Sequence, residues 1–115
     1  MTATDAARTR LDALPARELR GGLRIARAER TSQRLAGLAR LDALPAGHPL
    51  HLPRCRSVHT FGMRFALDLI WLARDGRPVR VDRAVPPRRL AVCLGARSVV
   101  ETRAGAADDF IAAGL

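Results

Sequence analysis

Phe65-Ala66-Leu67-Asp68-Leu69-Ile70-Trp71-Leu72-Ala73, followed by Arg74-Asp75-Gly76-Arg77, is the stretch on which the fold turns. As a strand it places Leu67, Leu69, Trp71 and Ala73 on one face and Ile70 and Leu72 on the other, with Asp68 on that second face. A strand that is apolar on both sides has to be central and covered on both sides. Asp75-Gly76 is a hairpin signal, so the chain returns over 77–82 with Val79 and Val81 inward. Pro78 has no amide to donate, which assigns that return strand to an edge.

Working outward, 23–28 alternates apolar and arginine positions and reads as a half-buried strand. Thr31 or Ser32 then caps a helix to about Leu41, with Leu35, Leu38 and Leu41 at helical spacing. Prolines at 45, 49 and 53 predict irregular chain or short edge pieces over 45–54. Residues 54–61 alternate, with Cys55, Ser57, His59 and Phe61 on one face and Arg56, Val58 and Thr60 on the other. Residues 85–89 (Val-Pro-Pro-Arg-Arg) read as a loop. A strand over 98–102 and a short helix over 106–113, bounded by Gly105 and Gly114, close the pattern. The fold class that follows is α+β and β-rich: a small sandwich or partial barrel of short, mostly antiparallel strands with one or two short helices.

Residues 1–21 read as a polar leader, flexible or with a short helix over 5–13, and Gly21-Gly22 sets it apart from a single domain over 22–115. The string Arg-Leu-Asp-Ala-Leu-Pro-Ala occurs at 10–16 and again at 40–46 with no matching surroundings, so it does not define a repeat.

The chain has 115 residues, 48% of them hydrophobic, enough for one core. No apolar run approaches a membrane span, and Asp5 stands where a signal peptide needs positive charge. The expectation is a cytoplasmic protein with no membrane partner and with Cys55 and Cys93 as reduced thiols. Its net charge is +9, and every basic residue is arginine, while lysine, asparagine and tyrosine are absent. The missing types have AT-rich codons, so a GC-rich genome accounts for much of that bias. Residues 1–60 hold 11 arginines against 5 acids, and residues 61–115 hold 9 against 6. Charge so evenly spread implies a weak, salt-sensitive attraction for polyanions rather than a groove.

Arg34-x-x-Gly37-Leu38, Leu44-Pro45, the run Cys55 to Asp68, Asp75-Gly76, Val100-Glu101 and Ala104-Gly105 occur in an order that resembles domain of unknown function 192. The run from Cys55 to Asp68 is the most telling piece, and the similarity covers residues 22–115. The resemblance implies a small β-sandwich with flanking helical turns and brings no reaction, ligand or cofactor with it. Many relatives continue past the final Gly-Leu with a Gly-Asp turn and another strand, so a closing strand is expected to be missing here.

The candidate residues are Arg34, Cys55, His59, Thr60, Met63, Asp68, Arg88, Arg89 and Glu101. Asp68 in an apolar strand demands compensation, either an arginine (Arg34 or Arg64) or backbone amides at a strand end. Ser57, His59 and Asp68 suggest a hydrolytic triad, yet side chains two apart on a strand start roughly 6–7 Å from each other. No Gly-x-Ser-x-Gly elbow is present. His48, His51 and Cys55 are the metal candidates; Cys55 and His59 would stand about 13 Å apart on a strand, too far to share an ion. Nucleic-acid binding lacks aromatic side chains for stacking, although Arg88-Arg89 is a plausible phosphate contact. The leading expectation is a non-enzymatic accessory or binding module without a cofactor, acting on a protein or small-molecule partner through residues 59–63 and 83–89. The alternatives are a weak enzyme or metal site around Cys55, His59 and Asp68, and a nonspecific binder of nucleic acid.

Overall fold

The computed structural model describes residues 14–20, 23–27, 49–60 and 63–115. Its strands are β1 (Ala16–Glu18), β2 (Arg24–Arg27), β3 (Leu50–Pro53), β4 (Ser57–His59), β5 (Leu67–Leu72), β6 (Pro78–Val85), β7 (Leu90–Val92) and β8 (Ser98–Arg103). A helix, α1, spans Ala107–Ala112. Six strands form one sheet in the order β1-β2-β3-β8-β5-β6, and β4 pairs with β7 as a separate ribbon. Every pairing is antiparallel except β2 with β3. The β-rich α+β expectation holds, and among the described residues neither sheet closes into a barrel.

β5 is buried at all its positions and lies between β8 and β6. Leu67, Leu69 and Trp71 enter a core cluster with Leu50, Leu52, Val58, Cys55, Cys93 and Val99, so the β4–β7 ribbon covers this face. Ile70 and Leu72 enter a second cluster with Val100, Ala107 and Phe110, so α1 covers the other. The two-faced reading of this strand is therefore literal: ribbon on one side, helix on the other.

Trp71 is fully buried, donates from Nε1 to Asp82 Oδ2 at 2.9 Å, and carries the Arg80 guanidinium 5.5 Å from its ring centre. Trp71→Phe removes that hydrogen bond and part of the ring volume while keeping an aromatic side chain. We expect a loss of about 1–2 kcal/mol in urea unfolding. A loss below about 0.5 kcal/mol would show that the indole N–H adds nothing beyond bulk.

β6 is an edge strand, as Pro78 indicated, but it carries two irregularities. Trp71 pairs with Arg80 and Leu72 with Pro78, so Val79 is the extra residue; it turns outward and is 50% exposed, not inward as the alternation suggested. Leu67 pairs with Val85 and Leu69 with Asp82, so Arg83 and Ala84 bulge opposite Asp68, with Ala84 at φ 50.

Other expectations are corrected. β1 lies inside the segment read as a leader and pairs with β2 as the opposite edge of the sheet. β3 lies inside the sheet, between β2 and β8, rather than in irregular chain or an edge piece. Its prolines explain why: Pro49 precedes the strand and accepts from the Ala26 amide, and Pro53 closes it. The alternation over 54–61 is reset by Arg54, at φ 52, so Cys55, Val58 and Thr60 are buried while Arg56, Ser57 and His59 are exposed. The sequence raised no expectation for 90–92, where β7 pairs with β4. The helix expected from Thr31 to Leu41 and the short one over 5–13 lie outside the described residues.

Candidate functional site

Asp68 is fully buried on the helix-covered face of β5. Its Oδ1 accepts from the Ala84 amide at 2.8 Å, and its Oδ2 accepts from Gly105 at 2.9 Å and Ala107 at 3.2 Å. Backbone amides are thus the compensation this carboxylate finds, the second of the two alternatives read from the sequence. The β6 bulge supplies one donor, and the Gly105 turn with the first turn of α1 supplies the others. Ala106 at the helix N-cap makes no side-chain cap bond, so Asp68 caps the helix from a neighbouring strand. Arg83, beside Ala84, forks onto Asp108 at 2.9 and 3.2 Å. That hydrogen bond holds the Asp108 carboxyl below its usual range, in the first turn of the helix.

Thr60 organises the other end of the ribbon and is fully buried. Its hydroxyl donates to Pro86 O at 2.7 Å and accepts from the Arg89 amide at 2.8 Å. Its amide donates to Arg89 O, and its carbonyl accepts from Met63 and Arg88. Thr60 with Met63 and the loop at 86–89, two separate candidates in the sequence, are therefore one rim pinned by one threonine; Phe61 and Gly62 lie outside the described residues. Met63 packs half-buried against the ribbon-side core, while Pro86, Arg88, Arg89 and Leu90 face solvent. Arg88 holds φ 64 and Ala84 φ 50, conformations rarely adopted by residues with a Cβ. Beside the rim an open groove of about 530 Å³ runs between β6 and β7, past Arg80, Asp82, Arg83, Arg89, Leu90 and Val92.

The catalytic candidates do not converge. Ser57 and His59 sit exposed on the ribbon, which covers one face of the large sheet, and Asp68 points to the opposite face. Cys55 is buried under the ribbon, its thiol donating to Ser57 O at 3.0 Å. His51 lies half-buried on β3, and Arg34 and His48 lie outside the described residues. Among the described residues, no three His, Cys, Asp or Glu side chains gather as a metal would need. Glu101 sits on β8 between Leu50 and Leu69, on the ribbon side of the sheet, and burial pushes its carboxyl up to about 7.

The even spread of arginines along the chain does not survive folding. A cleft of about 830 Å³ at the Leu72 end of β5 is lined by Arg17, Arg27, Arg54, Arg56, Arg74 and Arg97, with His51, Pro53, Leu72 and Ser98 among its other walls. Sequence reasoning missed it because the contributing residues are far apart in the chain and only the sheet register unites them.

No curated protein matches the chain. Among solved structures it is similar to "a putative transcription regulator" from Sinorhizobium meliloti 1021, with TM-score 0.67 and 21% identity over 76% of this chain and 74% of that one. It is also similar to a protein of unknown function from Novosphingobium aromaticivorans DSM 12444, with TM-score 0.66 and 17% identity over 88% of this chain and 89% of that one. Likeness at this identity establishes the fold. Among the described residues no helix is long and apolar enough to cross a membrane. Residues 16–114 match the family described as DUF192, Uncharacterized ACR, to which this chain belongs.

Proposed function

We propose that the protein is a cytoplasmic, non-catalytic binding domain that engages a protein partner through the Thr60-pinned rim. The observation that carries this reading is the hydrogen-bonding of Thr60, which fixes 86–89 against Thr60 and Met63 while leaving Pro86, Arg88, Arg89 and Leu90 in solvent. A loop held rigid before it meets its partner loses less conformational freedom on binding. Strained backbone at Ala84 and Arg88 supports the same reading, since such conformations persist where surrounding structure imposes them and cluster at ligand clamps. Asp68, the strongest catalytic candidate, has both oxygens occupied by amides, and both cysteines are free and buried, in keeping with a reducing compartment.

The test is site-specific photo-crosslinking in the native host, with the photoreactive residue at Arg88 or Leu90 and, as control, at Arg77 on the distant hairpin. A single adduct of constant mass is expected at both rim positions and not at Arg77. Adding His59→Ala, Met63→Ala and, in the Leu90 probe, Arg88→Ala should reduce it at least fivefold. Partner interactions left intact by those alanines would sink the rim as the binding surface.

A further inference from the structure

Of the four large apolar side chains exposed among the described residues, three (Leu90, Val92 and Leu94) lie on β7 and the turn that follows it. Leu90 and Val92 share the outer face of the ribbon, because alternate residues of a strand point the same way. Single exposed apolar residues are ordinary, whereas apolar residues gathered on one strand mark a contact surface.

The backbone of β7 is as open as its side chains. In an antiparallel ladder, successive residues turn their N–H and C=O alternately towards the partner strand and away from it. Thr60 N donates to Arg89 O and Cys93 N donates to Arg56 O, so residues 89, 91 and 93 are the ones that face β4. Leu90 and Val92 therefore turn their amides and carbonyls away from β4. Val92 O shows the direction, since it accepts from Arg80 Nη2 on β6 at 2.7 Å. The Leu90 amide, the Leu90 carbonyl and the Val92 amide open on the groove between β7 and β6, and among the described residues nothing bonds to them.

β6 offers less. Bulges at Val79 and at Arg83 and Ala84 interrupt it, a device that keeps edge strands from pairing with other chains. β7 pairs with β4 in unbroken register and has no such protection.

We infer that the partner at the rim docks as an extended, acidic segment that adds a third, antiparallel strand to the outer edge of β7, in the groove between β7 and β6. The inference rests on the rim reading above and states how that partner is held. Main-chain bonds to Leu90 and Val92 supply affinity, and alternating side chains supply specificity. A residue paired with Leu90 or Val92 points its side chain the same way as theirs, so it is apolar and extends their surface. Its neighbours in the segment face the groove wall, where Arg80, Arg83 and Arg89 outnumber Asp82. Arg80 and Arg83 already hold Asp82 and Asp108, while the Arg89 guanidinium makes no bond among the described residues. Arg89 is thus the cation that selects a carboxylate. A second copy of this chain is disfavoured as the occupant, because pairing two such edges sets arginine against arginine.

The experiment is fluorescence anisotropy of a labelled peptide, Glu-Val-Glu-Val-Glu-Val-Glu, titrated with the full chain at low salt. Saturable binding is expected, and a peptide with lysine in place of glutamate should not bind. In the antiparallel register the valine amides face β7 and the glutamate amides face away. N-methylation of the valine amides should therefore weaken binding at least tenfold, and N-methylation of the glutamate amides less than threefold. Arg89→Gln should weaken it at least fivefold, with unchanged circular dichroism. Arg74→Gln removes the same charge from an exposed turn outside the groove and should leave affinity within twofold. The proposal is overturned by the absence of saturable binding, by equal binding of the lysine peptide, by indifference to valine methylation, or by equal loss in the two arginine variants. Rim adducts in the host without peptide binding would remove the strand addition and leave the rim standing. Peptide binding without rim adducts would sink the rim reading and leave the groove.

Discussion

Asp68→Ala is expected to lower stability by about 3–5 kcal/mol, the largest loss from any single substitution considered for this chain. The carboxylate is the common acceptor for amides from the β6 bulge, the Gly105 turn and the first turn of α1. Removing it strands three donors at once, and an unsatisfied buried donor costs about 1–3 kcal/mol. The Ala107 amide is in a buried bond and has the least recourse to water, whereas Ala84 and Gly105 lie nearer the surface and recover part of the loss. Asp68→Asn separates charge from shape. Its single carbonyl oxygen can serve one side of the site, but its NH₂ then confronts an N–H donor on the other, so about 2–3 kcal/mol is expected. Urea unfolding of the three proteins at one pH tests the order. An asparagine variant within about 1 kcal/mol of the parent would mean that the carboxylate does not hold these segments together.

That staple also shows how much could be read from residues alone. The apolar run over 65–73 defined a central strand, and an acid inside it had to be satisfied somehow. The sequence left arginine and backbone amides both open, because the donor that decides the matter is Ala84, brought round by a bulge that no alternation reveals. Asp75-Gly76 and Gly105 were legible because their turns need the positive φ that glycine tolerates, 88° and 90° here. β3 was obscured by its flanking prolines, although proline at either end of a strand removes no ladder bond within it. β7 was missed because Leu90 and Val92 point outward, 68% and 42% exposed, so its pattern has no inward apolar pair to announce it.

The candidate sites divide in the same way. Thr60 and the 86–89 loop were each named from local composition, while the bonds joining them link residues more than twenty positions apart. The arginine cleft is the extreme case. Arg17 and Arg97 are distant in sequence, and a linear tally of charge makes them two instances of a codon bias. A four-strand register, β1 to β2 to β3 to β8, is needed before they become walls of one cavity. Chemistry confined to one segment was legible, and chemistry assembled across the sheet was not.

Glu101 leads to the second large effect, a stability that falls as pH rises. Burial between Leu50 and Leu69 lifts its carboxyl from the ordinary 4.5 to about 7, because the charged form loses its hydration inside the core. The folded protein therefore binds a proton that the unfolded chain has already released between those two values. With more protons on the native state, the slope of unfolding free energy against pH is negative in this window. The contribution is fully present below pH 4.5, declines as pH rises towards about 7 and is flat above it. Integrated over the window it amounts to about 3 kcal/mol, at 1.36 kcal/mol for each unit of difference. Glu101→Gln keeps the shape and removes the ionisation. Unfolding midpoints in urea from pH 4.5 to 8.5 should show the glutamine variant gaining on the parent as pH rises, since other groups titrate in both and cancel in the difference. By pH 8 the variant should be the more stable protein relative to their difference at pH 4.5. Parallel curves across the whole range would mean that Glu101 ionises alike in folded and unfolded chains, and that the core around Leu50 and Leu69 admits its charge.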